Sequence, residues 1–454
     1  MIKRVKVQDY KSLKNVDVEL QPLTVIFGPN AAGKSNLFDA LALLSRMGTA
    51  RTLREAFDDH RGAPLEAFFH GERGLEALLD EATAQFSIEV DVEISDVVAR
   101  AVEARIHEMR RETPEEEPGA TDGWSKAEGN GSSGAVQKQR VVERHLRYSL
   151  SVEILTGSGH LRVADERLCA LNKSDGSEKK SRKPFIEKER NKLVLRMEGQ
   201  SHPSYPDLWV DHTLVSTPLY PPHYPHITAL REELSRWRFY YLEPKNLMRS
   251  DNPLQEASSL DPTGANLAAF YNSLRFTREQ QFDTVNQTLP MLLPRIEKIA
   301  VDRTRKGELQ LRVFEHGIPF SSSIVSEGTL RILGLLAITN ALTPATVVGY
   351  EEPENGVHPR RLKLIADLLT NAVQATGIQF MVNTHSPYFL GFFKDEALIN
   401  CRKNGSYTVF ERGIKHGGMF GQQEINKGFD EDSDENNERP LTFEERILRG
   451  DFGG

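Results

Sequence analysis

Apolar residues recur along this chain with two periods, and the points where the period changes mark out its elements. Residues 23–27 form a short apolar run of strand length, and Leu37, Leu41 and Leu44 follow at helical spacing. The pattern therefore predicts a strand, a glycine-rich turn and a helix in direct succession. Strands resume at 85–94, a charged helix is expected over 96–111, and strands return at 146–155 and near 191–197. Between them, 113–136 is rich in Gly, Ser, Glu and Pro and reads as a flexible loop. A strand at 239–242 leads to helices over 264–275 and 276–289, then to strands at 299–303 and 309–314. Leu330, Leu333 and Leu336 mark a further helix, and the runs 346–350 and 378–382 mark two buried strands. The most apolar long stretch, 330–350, contains Arg331, Asn340 and Pro344, so it reads as a core helix plus a strand and not as a membrane span. The chain is expected to be α/β.

Candidate chemistry sits at the ends of these elements. Residues 28–35 read GPNAAGKS, a G-x-x-x-x-G-K-S turn between the first buried strand and its helix. Backbone N–H groups at such a helix start can cradle a β-phosphate, Lys34 can reach the β and γ phosphates, and the Ser35 hydroxyl can ligate Mg²⁺. The strand 346–350 ends abruptly in Glu351 and Glu352, as a buried strand does when it delivers carboxylates to its C-terminal edge. Successive strand residues face opposite sides, so the two acids can divide two jobs. Glu351 is expected to serve the magnesium and Glu352 to orient and polarise an attacking water. The alternative is a solvated acidic turn, because Pro353, Glu354, Asn355 and Gly356 are turn formers. Ser326 precedes its helix as an N-cap candidate whose positive end favours an anion. His385 follows the 378–382 strand and can donate to a γ-phosphate or to the attacking water. Read alone, Ser326 is a plain helix cap and His385 a loop histidine.

In their order and spacing these pieces resemble an ATP-binding-cassette (ABC) ATPase of the SMC, RecF and OLD type. GPNAAGKSN is similar to that family's Walker A loop, SEGTLR to its signature motif, VVGYEEPENGVHP to its Walker B and D-loop, and NTHSP to its histidine switch. The resemblance implies ATP hydrolysis, with ATP and Mg²⁺ as the bound groups. Lys34, Glu352 and His385 would be catalytic, Asn30, Ala32, Gly33, Lys34, Ser35 and Asn36 would hold nucleotide, and Ser35 and Glu351 would serve the metal. Two heads of that family sandwich two nucleotides. Ser326 and Gly328 would therefore touch the γ-phosphate held by an opposite copy, and the chain would form at least a head-to-head dimer. The opening MIKRVKVQDYKSLKNVDVEL resembles the family's first strand pair, with Tyr10, Lys11 and Ser12 near the nucleotide. Glu351 stands where many relatives carry aspartate, and Glu243-Pro244 follows 239–242 where a Q-loop glutamine is sought. The implied fold is a mixed P-loop sheet flanked by helices, with a β-rich insertion and a helical signature lobe. Its expected segments are 1–80 with Walker A, 81–245 as the insertion, 246–425 with the signature, Walker B and histidine switch, and 426–454 as an acidic linker and tail.

Composition narrows the setting. With 454 residues the chain can bury a sizeable core in two or three lobes. Cys169 and Cys401 are too few for a disulfide framework or a metal site, and the start resembles no signal peptide, so a cytoplasmic protein without a membrane partner is expected. A formal net charge of -8 does not announce a nucleic-acid binder. Lys173, Lys179, Lys180, Arg182 and Lys183, with Lys138, Arg140, Arg144 and Arg147 upstream, still leave DNA contact open; a solvated charged loop is the alternative, since no aromatic residues interleave. The acidic run 430–438 leads to 441–448, which reads either as a docking helix on a spacer or as a segment folding back. No long heptad repeat is present. About 50 residues follow Tyr407, too few for the Toprim nuclease domain of OLD-type relatives. Stand-alone ATPases of this build resemble those of bacterial antiphage systems such as PARIS and Septu. The resulting expectation is a sensor and scaffold that holds and releases a separate effector, such as a Toprim or HNH nuclease. A RecF-like DNA clamp in repair or recombination is the alternative, and a transporter's energising subunit a third.

Overall fold

The computed structural model describes residues 1–71, 74–112, 140–190, 192–198, 202–207 and 209–412. The 113–136 loop, Lys138, the acidic run and the 441–448 segment lie outside the described residues. Two compact units divide the chain: residues 1–42, 66–77 and 236 onward form the first, and residues 43–65 and 78–235 the second.

The chain opens as an antiparallel hairpin, β1 (Ile2–Tyr10) and β2 (Leu13–Glu19), in which Val5 faces Val18 and Val7 faces Val16. β3 (Leu23–Phe27) and α1 (Lys34–Met47) follow as the apolar pattern predicts. Two short helices, α2 (Leu53–Phe57) and α3 (Glu76–Leu79), precede the second unit's sheet. That sheet runs through β4 (Thr83–Glu93), β5 (His145–Leu155), β6 (His160–Ala170), β7 (Ile186–Glu189) and β8 (Lys192–Leu195), each antiparallel to the next. Its helices are α4 (Asp96–Glu112) and α5 (Pro225–Leu234). Alternate residues of β5, among them Leu146, Tyr148, Leu150 and Val152, are buried, the period-two signature of an antiparallel strand with one face on a core.

The chain returns to the first unit at β9 (Trp237–Tyr240), then α6 (Leu267–Thr277) and α7 (Glu279–Leu292). β10 (Ile296–Arg303), β11 (Leu309–Glu315) and β12 (Ile318–Ser321) form a three-stranded antiparallel sheet. α8 (Glu327–Thr339), β13 (Val347–Glu351), α9 (Leu362–Thr376), β14 (Gln379–Thr384), α10 (Pro387–Leu390), β15 (Leu398–Asn404) and β16 (Tyr407–Arg412) complete it. The main sheet has the order β16-β15-β3-β14-β13-β9, with β9, β13, β14, β3 and β15 parallel and β16 antiparallel. Its central strands β3 and β14 are buried along nearly their whole length, which is why residues 24–27 and 380–382 read as almost unbroken apolar runs. Val25, Val348, Phe380 and Val382 pack with Leu330, Leu333, Leu369 and Phe270 from the helices in one core, each such side chain contributing about 1.5–3 kcal/mol of burial.

One strand lies two residues earlier than its apolar run predicts. β9 ends at Tyr240, opposite Tyr350, because the Tyr241 and Glu243 N–H groups donate instead to the carbonyls of Pro262 and Thr263. Helix α6 likewise starts three residues late, since the Asp261 carboxylate accepts from Thr263 N and Ala265 N and holds that stretch as a turn. Among the described residues no helix is long and apolar enough to cross a membrane.

Candidate functional site

Strand register brings the distant motifs together. Glu351 lies opposite Asn383, Asn383 opposite Ile26, and Thr384 opposite Phe27. The three parallel strands therefore end level, and the residues that follow them, Gly28, Glu352 and His385, leave from one edge, where open α/β sheets place their ligands.

The loop from β3 to α1 is shaped by its surroundings. A β-carbon on Gly28, at φ 154, would lie 1.9 Å from the Cys401 carbonyl oxygen, and one on Gly33, at φ 102, would lie 2.1 Å from Thr408 Oγ1. Glycine alone fits both positions. Thr408 donates its hydroxyl to the Ala32 carbonyl at 2.7 Å and stands 2.6 Å from Ser12 Oγ, to which Asn36 Nδ2 donates at 2.7 Å. Of the three N-terminal residues expected nearby, Ser12 makes these contacts, Lys11 pairs with Asp39 of α1 at 2.8 Å, and Tyr10 is core. Asn30 is exposed at the loop's tip and Ala32 is buried beneath it. Lys34 is buried and donates to the carbonyls of Gly28 at 2.8 Å and Pro29 at 2.9 Å. Burial pulls its pKa below the usual lysine value, against the opposing pull of Cys401, Glu352, Glu354 and Glu351.

The acids stand across from this loop. Ser35 donates to Glu351 Oε2 at 3.0 Å, and Asn383 Nδ2 lies 3.3 Å from Ser35 Oγ. Serine hydroxyl and carboxylate are the hard oxygen donors that Mg²⁺ takes, with water and phosphate completing the shell. Among the described residues no cluster of three or more His, Cys, Asp and Glu offers a competing metal site. Glu352 adopts φ 46, a left-handed conformation that costs a residue with a β-carbon about 1–3 kcal/mol. Its N–H donates to Asn383 O at 3.1 Å and Asn383 Oδ1 at 3.0 Å, its carboxylate accepts from Asn355, and its carbonyl accepts from Arg331 at 3.4 Å. His385 Nδ1 lies 3.3 Å from Glu352 Oε1, which places the ring hydrogen on Nδ1 when Glu352 is ionised. Behind this pair Glu354 is buried; Thr384 donates to its Oε1, Oε2 has no partner among the described residues, and burial raises its pKa.

The signature segment is a helix start of the expected kind. Ser326, extended at φ -64 and ψ 147, caps α8 by accepting from Thr329 N at 3.2 Å, and its hydroxyl lies 2.8 Å from Thr329 Oγ1. A β-carbon on Gly328 would sit 3.2 Å from the Gly356 carbonyl, so this turn packs against the segment after Glu352. Lys34, Ser35, Glu351, Glu352 and His385 thus share one edge, whereas the bonds of the Ser326 hydroxyl stay within its own turn. Ser12 was named through the likeness of the opening strand pair, and Asn383, Asn355, Glu354 and Arg331 lie within the quoted motifs. Thr408 joins the site through packing that no local spacing encodes.

Half of the described residues of the second unit's basic cluster are paired. Lys179 donates to both oxygens of Glu143 at 2.8 and 3.1 Å, Arg182 pairs with Glu198, Arg147 holds Asp91 at 2.6 and 2.7 Å, and Arg144 lies 3.6 Å from Asp96.

Level parallel strands, a phosphate loop and a capped helix in this order make the first unit an ABC-type P-loop ATPase head of the SMC, RecF and OLD kind. The chain belongs to the family described as "AAA domain, putative AbiEii toxin, Type IV TA system", whose model matches residues 23–154 and 166–391. Among solved structures, that of the SmcHead bound to the C-winged helix domain of ScpA aligns over 90% of this chain and 96% of that one, with a TM-score of 0.51 and 11% identity, a likeness of fold alone. A curated relative, the OLD nuclease of Thermus scotoductus (strain ATCC 700910 / SA-01), is 43% identical over 44 residues. That match spans 10% of this chain and 8% of the relative's length.

Proposed function

We propose that this chain is the ATP-hydrolysing sensor and scaffold of a bacterial antiphage defence complex, in which paired heads hold and release a separate effector such as a nuclease. The observation that carries the ATPase part is the Ser35 hydroxyl lying on Glu351 while Glu352 and His385 face each other beside it. Backbone N–H groups from Asn30 to Asn36 cradle the phosphates, and Lys34 turns from its loop carbonyls to the β and γ oxygens. Ser35 and Glu351 would hold Mg²⁺, which would neutralise phosphate charge when bound. Glu352 orients and polarises the attacking water, and His385, turning away from Glu352, donates its Nδ1–H towards the γ-phosphate. The Ser326 cap and the Gly328 N–H present a positive helix end to the nucleotide of an opposite copy, which makes the active form at least a dimer.

Support for the effector role comes from the words "putative AbiEii toxin, Type IV TA system" in the family's description and from the nuclease named in the OLD relative. The DNA-clamp reading is less well supported, because Lys179 and Arg182 already serve Glu143 and Glu198.

The test compares phosphate release, sedimentation and partner retention after affinity purification in wild type, Lys34→Ala and Glu352→Gln. Turnover should fall by about 10²–10⁴-fold in Glu352→Gln, the range for losing a general base, while ATP still drives pairing and the effector is retained. Lys34→Ala should lose pairing as well. Unchanged turnover in both variants would sink the ATPase assignment, and a complex holding only DNA would replace the scaffold by a clamp.

A further inference from the structure

The second unit contains a cavity of about 380 Å³, a size that suits a small organic ligand. One face of α5 supplies Thr228, Arg231 and Glu232, α4 supplies Arg105, and the segment 215–221 closes the far side with Leu219 and Pro221. Two features set it apart from an incidental gap. The first is its charge. Arginines of the neighbouring sheet are matched to carboxylates, Arg147 to Asp91 at 2.6 Å, Arg162 to Glu153 at 2.5 Å and Arg196 to Glu187 at 2.5 Å. The guanidinium groups of Arg105 and Arg231 have no ion-pair or hydrogen-bond partner among the described residues, and both line the cavity. Two cations against one wall carboxylate leave the site net positive.

The second feature is the fixed wall. Glu166 is fully buried and accepts from Leu214 N at 2.7 Å, Val215 N at 3.1 Å and the Tyr148 hydroxyl at 3.0 Å. Thr213 donates to the Met47 carbonyl at 2.9 Å, and its own carbonyl accepts from the hydroxyls of Ser216 at 2.9 Å and Thr217 at 3.2 Å. The segment that closes the cavity is thus held in place from beneath, so a ligand entering it need not order the wall, and the affinity lost to ordering is small.

We propose that this cavity binds a small phosphate monoester with a ring-shaped body, a mononucleotide-sized anion. Two guanidinium forks and the Thr228 hydroxyl match phosphate oxygens, Leu219 and Pro221 give the ring an apolar wall, and Glu232 accepts from its amino or hydroxyl groups. The site is additional to the phosphate loop and does not depend on the ATPase reading.

Calorimetric titration of the full chain with UMP, uridine and inorganic phosphate tests this, in wild type, Arg105→Ala, Arg231→Ala, Arg231→Lys and Lys34→Ala. UMP should bind once per chain, and removing either guanidinium should weaken it by about tenfold, the scale of one charge-assisted hydrogen bond. Arg231→Lys, which keeps the charge and loses the fork, should fall between, and Lys34→Ala should bind as wild type does. Thermal melts of the four variants confirm that each is folded. No heat from UMP at millimolar concentration, wild-type affinity in both arginine-to-alanine variants, or loss in Lys34→Ala alone would each overturn the proposal. Inorganic phosphate or uridine binding as tightly as UMP would also overturn it, the first by making the site a mere anion trap and the second by removing the phosphate from recognition.

Discussion

The sheet of the second unit and the strand ends of the first treat their polar residues in opposite ways. In the second, charges close on one another within the sheet: Arg147 on Asp91, Arg162 on Glu153, and the fully buried Glu166 on two backbone N–H groups and a phenol. In the first, the groups at the strand ends are held by provisional partners. Lys34 donates to loop carbonyls, Ser35 leans on Glu351, and Glu352 sits in a strained conformation with His385 at 3.3 Å. Saturated pairs fix a structure, whereas provisional ones can be exchanged for a ligand of higher charge. Buried polar residues are therefore informative about function chiefly where their bonding is incomplete or strained.

The sharpest way to break that contrast is Gly28→Ala. Its β-carbon would have to displace the backbone of Cys401, in a region of φ that an alanine adopts only under strain. A penalty of about 3 kcal/mol or more at the loop predicts at least a ~100-fold loss in steady-state ATP turnover, with exchange protection of β4 to β8 unaltered. Turnover near wild type would show that the loop is not shaped by its packing.

Glu166 tests the second unit. Burial raises its carboxyl pKa to about 7, from 4.5 for the free group. A raised folded pKa means that the folded state keeps the proton longer, so this contribution is full at pH below 4.5 and is lost as pH rises through about 7. Urea midpoints followed by circular dichroism should fall across that window by the equivalent of about 3 kcal/mol, and Glu166→Gln should flatten the slope. A wild-type slope that survives the substitution would assign it to other groups.

The smallest effect separates the two uses of Ser326. Ser326→Ala should cost α8 about 1 kcal/mol of local stability, read as faster amide exchange in its first turn, and Ser326→Asn should restore it. If Asn restores the cap and not ATP-driven pairing, the hydroxyl serves an opposite copy; recovery of both would reduce Ser326 to a cap.

Much of the first unit was legible because phosphate chemistry demands fixed spacing. Gly28, Gly33, Lys34 and Ser35 must follow a strand and open a helix, and Glu351 and Glu352 must end one, so a local pattern carries them. Level strand ends were implicit in those same runs. What could not be read was the scaffold behind the loop: Ser12 and Thr408 are 396 residues apart, and their hydroxyls meet at 2.6 Å only because β15 lies beside β3 and β16 beyond it. In the second unit β6 escaped notice because Arg162, Asp165, Glu166 and Arg167 break the alternation with charges, of which the fold answers Arg162, Glu166 and Arg167 with partners from adjacent strands and loops. In the basic cluster, sequence displays Lys179 and Arg182 without the Glu143 and Glu198 that meet them.

The place of β3 between β14 and β15 also has a bearing on synthesis. The Ser35 hydroxyl meets an asparagine 348 residues later, so the ribosome finishes the phosphate loop long before it makes the strands the loop must sit against. Until then β3 is an apolar segment with two open edges, the kind of surface that chaperones bind and that aggregates when exposed. A product cut short before β14 would carry an intact motif with no site around it. Under the proposed function, nucleotide binding thus reports that translation of the ATPase unit has run through to its last strands.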